Sequence, residues 1–318
     1  MPKDATIADL GTALGVRASQ CFSVAGLRDT IDATLASNQV VATRLDTTQV
    51  ALSALRADAQ NMRATLMSAQ TDGGEPTAII KQADQALATL IAKLNSSNAD
   101  GFLFGGISTI QEPIADYFAK PSQPNKLALD AAYETAFGFT QSNSAVSSIS
   151  PTQMQGFLTG AFAQLFSDAG WKSDWSSASD SVLRAQVSLS VTMDASVSAN
   201  EPALPKIASA YAMLTDLGAE RLNRDSYAVL LKAAMDTLDI GVGMLTNIQA
   251  RVGVMQNSVK NASDVMSIQK DGLDTQLSEL ESIDPTEAGA RVNELMTRIE
   301  TAYTLTARIS QLSLTKYL

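Results

Sequence analysis

Carboxylates cluster where one predicted helix ends and the next begins, and such a cluster could bind a divalent cation. In this 318-residue chain the cluster consists of Glu279, Glu281, Asp284 and Glu287. Acidic residues also stabilise the positive end of the helix dipole at a helix start. "SIDPTEAG" has the order of a capping box, with Asp284, Pro285 and Glu287 opening a new helix. We therefore interpret the cluster as a helix cap and predict no metal site.

Trp171 and Trp175 in "WKSDW" could stack on a sugar or a base, although such residues more often anchor the core of a small domain. The chain has no histidine, so it lacks the usual general base near neutral pH. No G-x-S-x-G nucleophile elbow and no phosphate-binding glycine loop is present. Cys21, the single cysteine, is predicted to be an ordinary buried or half-buried thiol. We predict that the protein is not an enzyme and binds no cofactor.

The composition narrows the class of protein further. A formal net charge of −10 disfavours binding to nucleic acid or to an anionic membrane. Hydrophobic residues make up 45% of the chain but aromatic residues only 5%, which favours long helices with aliphatic cores. No apolar run approaches the ~20 residues of a membrane span, and the N-terminus lacks the pattern of a cleavable signal peptide.

Two long stretches carry the heptad spacing of paired helices. One heptad position holds Val24, Ile31, Asn38, Leu45, Leu52, Ala59 and Leu66 in the first stretch, and Leu238, Leu245, Val252, Val259, Met266, Leu273 and Leu280 in the second. A second, mostly apolar position follows three residues on, which is typical of a narrow helical seam. Since an insertion separates the two stretches, we expect them to fold back and pair antiparallel.

The insertion is rich in proline and in aromatic residues and is predicted to be a small α+β domain. Residues 183–197 alternate apolar and polar side chains, which predicts a strand, and Ser150 and Gln153 flank Pro151 as a capping box. The predicted fold is mainly α, a long antiparallel helical rod with this insertion. The predicted segments are an N-terminal arm (1–105), the insertion (106–205), a C-terminal arm (206–283) and a terminal helix (284–318).

The terminal helix has an apolar stripe for which no earlier segment remains as a mate. A stripe without cover inside its own chain predicts a protein–protein contact. The predicted assembly interface consists of Val292, Leu295, Ile299, Ala302, Ile309, Leu312, Leu314 and Leu318.

Three segments resemble the hook–filament junction proteins of bacterial flagella, which are hook-associated proteins of the flagellin superfamily. "NSSNADGFLFGG" resembles the end of their N-terminal helical region, and "QARVGVMQNSVKNASDVM" is similar to their long C-terminal helix. "RVNELMTRIETAYTLTARISQLSLTKYL" resembles their last helix. Members of that family begin with a further helix before the region resembling "KDATIADLGTALGVRASQ", and Met1 lies almost inside that region. We therefore expect the mate of 285–318 to be missing from this chain.

The resemblance implies a structural protein that is exported through the flagellar type III apparatus, without a cleaved signal, to the outside of the cell. It implies self-assembly into a ring of like subunits through the helical arms. The implied partners are an adjacent hook-associated junction protein, flagellin and a flagellar export chaperone. Neither nucleic acid nor membrane is expected as a partner.

Other interpretations stay open at this point. The nearest is flagellin itself, the repeating subunit of the filament, although "GFLFGG" and the modest insertion favour the junction protein. A coiled-coil adhesin or signalling rod would need an anchor or signal that the sequence does not show. A glycan-binding module around Trp171 is the weakest of these alternatives.

Overall fold

A computed structural model describes residues 18–72, 75–282 and 285–314. The α-helices are α1 (Ala18–Asp72), α2 (Pro76–Leu94), α3 (Pro124–Phe137), α4 (Pro151–Thr159), α5 (Ala161–Leu165), α6 (Asp168–Gly170), α7 (Ala203–Asp216), α8 (Arg224–Glu281) and α9 (Pro285–Leu314). Two antiparallel hairpins pair β1 (Ser97–Asn98) with β2 (Gly101–Phe102) and β3 (Arg184–Gln186) with β4 (Thr192–Asp194). The prediction of a mainly α fold is confirmed.

The chain divides into two compact units. The larger unit is Thr34–Asp264, and the smaller one combines Met1–Ala33 with Val265–Leu318. The segment boundaries predicted after residues 105, 205 and 283 stay predictions.

In the larger unit, α1 and α8 pair antiparallel as predicted. The Gln249 side-chain amide donates to Ser53 Oγ at 2.9 Å, and the Gln256 amide donates to Asp46 Oδ1 at 2.6 Å. The contact that lies later in α8 thus lies earlier in α1, so the two helices run antiparallel.

The predicted heptad positions of the larger unit are the buried ones. They are Asn38, Leu45, Leu52, Ala59 and Leu66 in α1 and Leu238, Leu245, Val252 and Val259 in α8. The polar entry at Asn38 is partly satisfied, because its side-chain amide donates to Val187 O at 2.9 Å and to Ser263 Oγ at 3.0 Å, whereas its Oδ1 has no hydrogen-bond partner among the described residues. Asn38 thus ties α1 both to the β3–β4 hairpin and to α8.

Helix α7 forms the centre of the larger unit. All residues from Ala203 to Leu214 except Lys206 are buried, so this helix is buried around nearly its whole circumference. A helix of that kind has to be covered on every side. Helix α2 packs against it, and Gly241 of α8 approaches it so closely that a Cβ there would press on Ile207.

The strand predicted over residues 183–197 is a short hairpin, so that prediction was wrong in its extent. Ser188 Oγ accepts hydrogen bonds from the backbone N–H groups of Ser190 and Val191, at 3.4 and 3.2 Å, which closes a turn between β3 and β4. Serine hydroxyls compete in this way with a continuous strand ladder. Consequently Leu189 and Val191 lie exposed at the tip instead of facing a core.

In the smaller unit, the start of α1 lies along the end of α8. Lys270 Nζ lies 3.6 Å from Asp32 Oδ1, and the Cys21 thiol donates to Glu281 Oε1 at 3.6 Å. These pairs also run antiparallel. Leu27 lies three residues after Val24, at the second heptad position that the pattern predicts to be buried, but it is exposed.

Candidate assembly surface

The structure places the predicted interface residues along one helix, α9. Val292, Leu295, Ile299 and Ile309 are 52–59% exposed, and Ala302 is exposed as well. Leu312 and Leu314 belong to α9, although their side chains lie outside the described part, and Leu318 lies outside the described residues. Every side chain that the structure describes in α9 is exposed.

The sequence-based prediction missed three apolar residues of this helix. Met296, Tyr303 and Leu305 are 60%, 74% and 59% exposed. Met296 and Tyr303 lie four residues after Val292 and Ile299, so they widen the stripe on the same side. A search at the broader globular period of 3.6 residues would have found them, whereas the heptad pattern selects only a narrow seam.

Charged residues lie beside the stripe rather than on it. Arg298 Nη2 lies 2.5 Å from Glu294 Oε1 one helical turn earlier. Such an exposed pair contributes little to stability, about 0.3–0.5 kcal/mol. Its effect is to keep both charges on the flank, which leaves the apolar stripe free of charge.

A second local arrangement involves the segment "NSSNADGFLFGG", which resembles the flagellar family. Arg44 of α1 is 4% exposed, and its Nη2 donates to Phe102 O at 2.5 Å and to Leu103 O at 3.1 Å. Burial lowers the pKa of this guanidinium, although an arginine side chain is not deprotonated in proteins. Arg44 therefore fixes the β1–β2 hairpin to α1, directly before the insertion begins.

The glycines of this segment are required by close backbone contacts. Gly106 has φ +63°, and a Cβ there would overlap Ser179 O and Ser181 O. The contact is tight because Ile107 N donates to Ser181 O at 2.9 Å. The glycines in "GFLFGG" therefore have a structural reason, and no phosphate site is needed to explain them.

We expect Gly106→Ala to lower the free energy of unfolding by about 1–3 kcal/mol, because the backbone conformation is strained and two carbonyls must move. The matched control is Gly138→Ala, since Gly138 has φ +78° but no atom within 4 Å of an added Cβ. It should cost only the strain of the left-handed backbone, about 1 kcal/mol. Urea unfolding measures both, and equal losses would contradict the close contact at Gly106.

Only part of the predicted acidic cluster lies within the described residues. Helix α9 begins at Pro285, as the capping pattern predicted, while Asp284 and the Glu287 side chain lie outside the described part. Glu281 accepts the thiol hydrogen bond of Cys21. Within the described residues, no group of three or more acidic or sulfur ligands is arranged to hold a metal ion.

Cys21 is buried, as predicted, and burial together with the hydrogen bond to Glu281 raises the pKa of its thiol. Because the thiolate is the nucleophile, we expect iodoacetamide at pH 8 to alkylate the native chain more slowly than the urea-unfolded chain, by about tenfold or more. Mass spectrometry of quenched samples measures both rates. Equal rates would mean that the Cys21–Glu281 contact does not form in solution.

The two tryptophans anchor the core of the insertion. Trp171 and Trp175 are 1% and 2% exposed, and their rings stack with centroids 5.3 Å apart. Trp175 stacks on Tyr117 at 5.2 Å, and the Trp171 indole N–H donates to Ala199 O at 3.1 Å. Neither indole presents a face to solvent, so the structure does not support a sugar-binding role for them.

The C-terminal part of the chain matches a known family, and the fold matches two solved structures. The family of the bacterial flagellin C-terminal helical region matches residues 235–318. A solved flagellar hook-associated protein from Vibrio parahaemolyticus superimposes with a TM-score of 0.58 at 12% identity, covering 85% of this chain and 99% of that one. FlgL from Bacillus cereus superimposes with a TM-score of 0.52 at 14% identity, covering 80% and 99%. No curated protein matches the chain significantly.

The fold therefore resembles that of these two solved flagellar proteins. The resemblance inferred from the sequence is confirmed at the level of the fold and, for residues 235–318, at the level of sequence. None of the described helices is long and apolar enough to span a bilayer.

Proposed function

We propose that this chain is a structural protein of the bacterial flagellum that joins the hook to the filament. The observation that carries the proposal is the exposed apolar stripe of α9, in a chain that has the hook-associated fold. A soluble protein rarely leaves such a stripe uncovered unless it binds a partner. We infer that the stripe is covered by other proteins of the flagellum.

Covering the stripe would contribute a favourable free energy to assembly. Burying one Val, Leu or Ile side chain contributes about 1.5–3 kcal/mol, and at least four such residues are half exposed. Part of this gain is offset by the lost freedom of the subunits. In a ring every subunit repeats the same contact, so a modest gain for each contact is sufficient.

The partners in this proposal follow from the position of the protein. A terminal helix and neighbouring copies of the chain would cover the stripe of α9 within the ring. An adjacent hook-associated protein would contact the ring on the hook side and flagellin on the filament side. Before export, a flagellar chaperone would cover the same stripe, and export would proceed without a cleaved signal peptide.

Flagellin is the second candidate function. The match of residues 235–318 to the flagellin C-terminal helical region favours it, because filament subunits carry that region. The two functions differ in the length of polymer that the protein forms by itself. A junction protein ends after a short layer, whereas flagellin continues to add subunits.

The test uses hooks isolated from cells that lack this protein, together with flagellin from the same organism. Negative-stain electron microscopy should show the added chain at the distal end of the hooks, and flagellin should extend filaments only from hooks that received it. Long filaments of the chain alone would establish the flagellin function instead. Filament growth that is indifferent to the chain would overturn the junction proposal.

A further inference from the structure

A cluster of three carboxylates around one ammonium group lies where the insertion meets α7. Lys126 Nζ of α3 lies 2.7 Å from Asp216 Oδ2 and 2.5 Å from Asp130 Oδ1, and the Tyr117 hydroxyl donates to Asp216 Oδ2 at 2.6 Å. The third carboxylate is Asp84 of α2, whose Oδ1 is buried without a hydrogen-bond partner in the described chain. Burial and the neighbouring carboxylates, Asp84 among them, raise the pKa of the Tyr117 hydroxyl, so Asp84 lies within electrostatic reach. We call these five residues the Lys126 cluster.

Asp216 is the member of the Lys126 cluster least suited to carry a negative charge. It is the last residue of α7, where the unpaired carbonyl groups form the negative end of the helix dipole. Its side chain is 19% exposed. Burial raises the pKa of the Asp216 carboxyl, and the hydrogen bonds from Lys126 and Tyr117 offset only part of this effect. Asp216 is therefore held where its neutral form is favoured.

The other members of the cluster keep Lys126 paired when Asp216 takes up a proton. Asp130 is 39% exposed, and its Oδ1 also accepts a hydrogen bond from the Gln141 amide at 2.9 Å. Burial lowers the pKa of Lys126, but its hydrogen bonds to both carboxylates outweigh this and raise the pKa overall. The ammonium therefore stays charged in mild acid. Burial also raises the pKa of Asp84, which makes it the second group to lose its charge.

We propose that the Lys126 cluster is a pH-sensitive joint between the insertion and α7, which tightens when mild acid protonates Asp216. The neutral carboxyl still accepts hydrogen bonds from Tyr117 and Lys126, while the excess of negative charge falls. The joint lies inside the larger unit, and the inference does not rest on the proposed function.

The sign of the pH dependence follows from linkage. A carboxyl group that binds its proton more tightly in the folded chain than in the unfolded chain favours folding as the pH falls. For Asp216 this stabilisation is absent at neutral pH. It grows as the pH falls through the folded pKa, and it is complete below the ordinary aspartate value of 3.8.

The tryptophans provide a local signal for the joint. Trp171 and Trp175 are the only tryptophans of the chain, and both lie in the core of the insertion. The Trp175 ring stacks on the ring of Tyr117 with centroids 5.2 Å apart. Because Tyr117 also binds Asp216, tryptophan fluorescence during urea unfolding follows the insertion and its joint rather than the long helices.

The test compares the original chain with Asp216→Asn, since asparagine has the shape of a protonated aspartate but cannot ionise. We expect the urea midpoint of the variant, relative to that of the original chain, to shift upward as the pH rises from about 4.5 to about 7.5. The matched control is Asp236→Asn, which removes a 53% exposed partner of Lys232 on α8 and should show no such shift. A constant difference for Asp216→Asn overturns the proposal. A shift in the opposite direction also overturns it, because Asp216 would then form an ordinary stabilising ion pair.

Lys126→Gln tests the joint from the side of the cation. Without the ammonium, the carboxylates are left unpaired, so the urea midpoint should fall most at neutral pH and recover in mild acid. Adding Asp216→Asn to this variant should restore most of the loss at neutral pH. A loss that is equal at every pH, or one that Asp216→Asn does not relieve, contradicts the joint. Where Lys126→Gln alone does not fold, the comparison of Asp216→Asn with the original chain decides the question.

Discussion

Ile299→Asp is expected to abolish the attachment of filaments to hooks while leaving the monomer folded. Ile299 is 53% exposed, so its replacement removes no core contact, and the free energy of unfolding should change by no more than about 0.5 kcal/mol. In the assembled state the same position is expected to be buried against an apolar partner. A carboxylate without a partner costs several kcal/mol there, and the cost recurs at every subunit of the ring.

The measurement is motility and filament attachment in cells that produce the variant in place of the original chain. Thr301→Asp is the matched control, since Thr301 lies on the same helix but about 200° away from Ile299, and its hydroxyl only bonds back to Thr297 O. It should support normal swimming. Normal filaments with Ile299→Asp, or an equal loss with Thr301→Asp, would contradict an assembly role for the stripe.

Trp171→Ala should cause a large loss of stability, about 3–5 kcal/mol. The indole is 1% exposed, stacks on Trp175, and donates its N–H to Ala199 O. Removing it leaves a cavity in the insertion core and an unpaired buried carbonyl. Urea unfolding followed by circular dichroism measures the loss, and Trp175 fluorescence reports whether the local packing opens.

Ile110→Ala provides the control, because Ile110 is 95% exposed and its truncation should change stability by less than about 0.5 kcal/mol. A loss below about 1 kcal/mol for Trp171→Ala would contradict the close packing of the aromatic cluster. Trp171→Phe separates the two contributions. It retains most of the ring contacts but removes the indole N–H, so it should lose less stability than the alanine variant.

The helical arms could be predicted because their heptad pattern depends on spacing within a single helix. A residue such as Leu45 or Leu245 returns to the same side of its helix every seven residues, whatever the rest of the chain does. The capping box at Ser150 could be predicted for the same reason, and the structure confirms both of its hydrogen bonds. The apolar stripe of α9 was also predicted from spacing within one helix. Its width was underestimated, because Met296 and Tyr303 fall outside the strict heptad.

The extent of the β3–β4 strands could not be predicted, because alternation at period two continues through a turn as easily as through a strand. Ser188 ends the strand, because its hydroxyl accepts hydrogen bonds from backbone N–H groups that a longer ladder would have used. The hydrogen bonds of Arg44 could not be predicted either, since its partners Phe102 and Leu103 are more than fifty residues away in the chain.

The sequence by itself determined the mainly α fold, the antiparallel pairing of the long helices and the apolar character of the terminal helix, because these follow from local periodicity and from the insertion between the two seams. Only the tertiary structure decided which distant segments meet. Arg44 donates to Phe102 O and Leu103 O, the Asn38 amide donates to Val187 O, and Leu27 is exposed. Burial depends on which distant segments meet, and a single sequence encodes that only through the sum of many weak contacts.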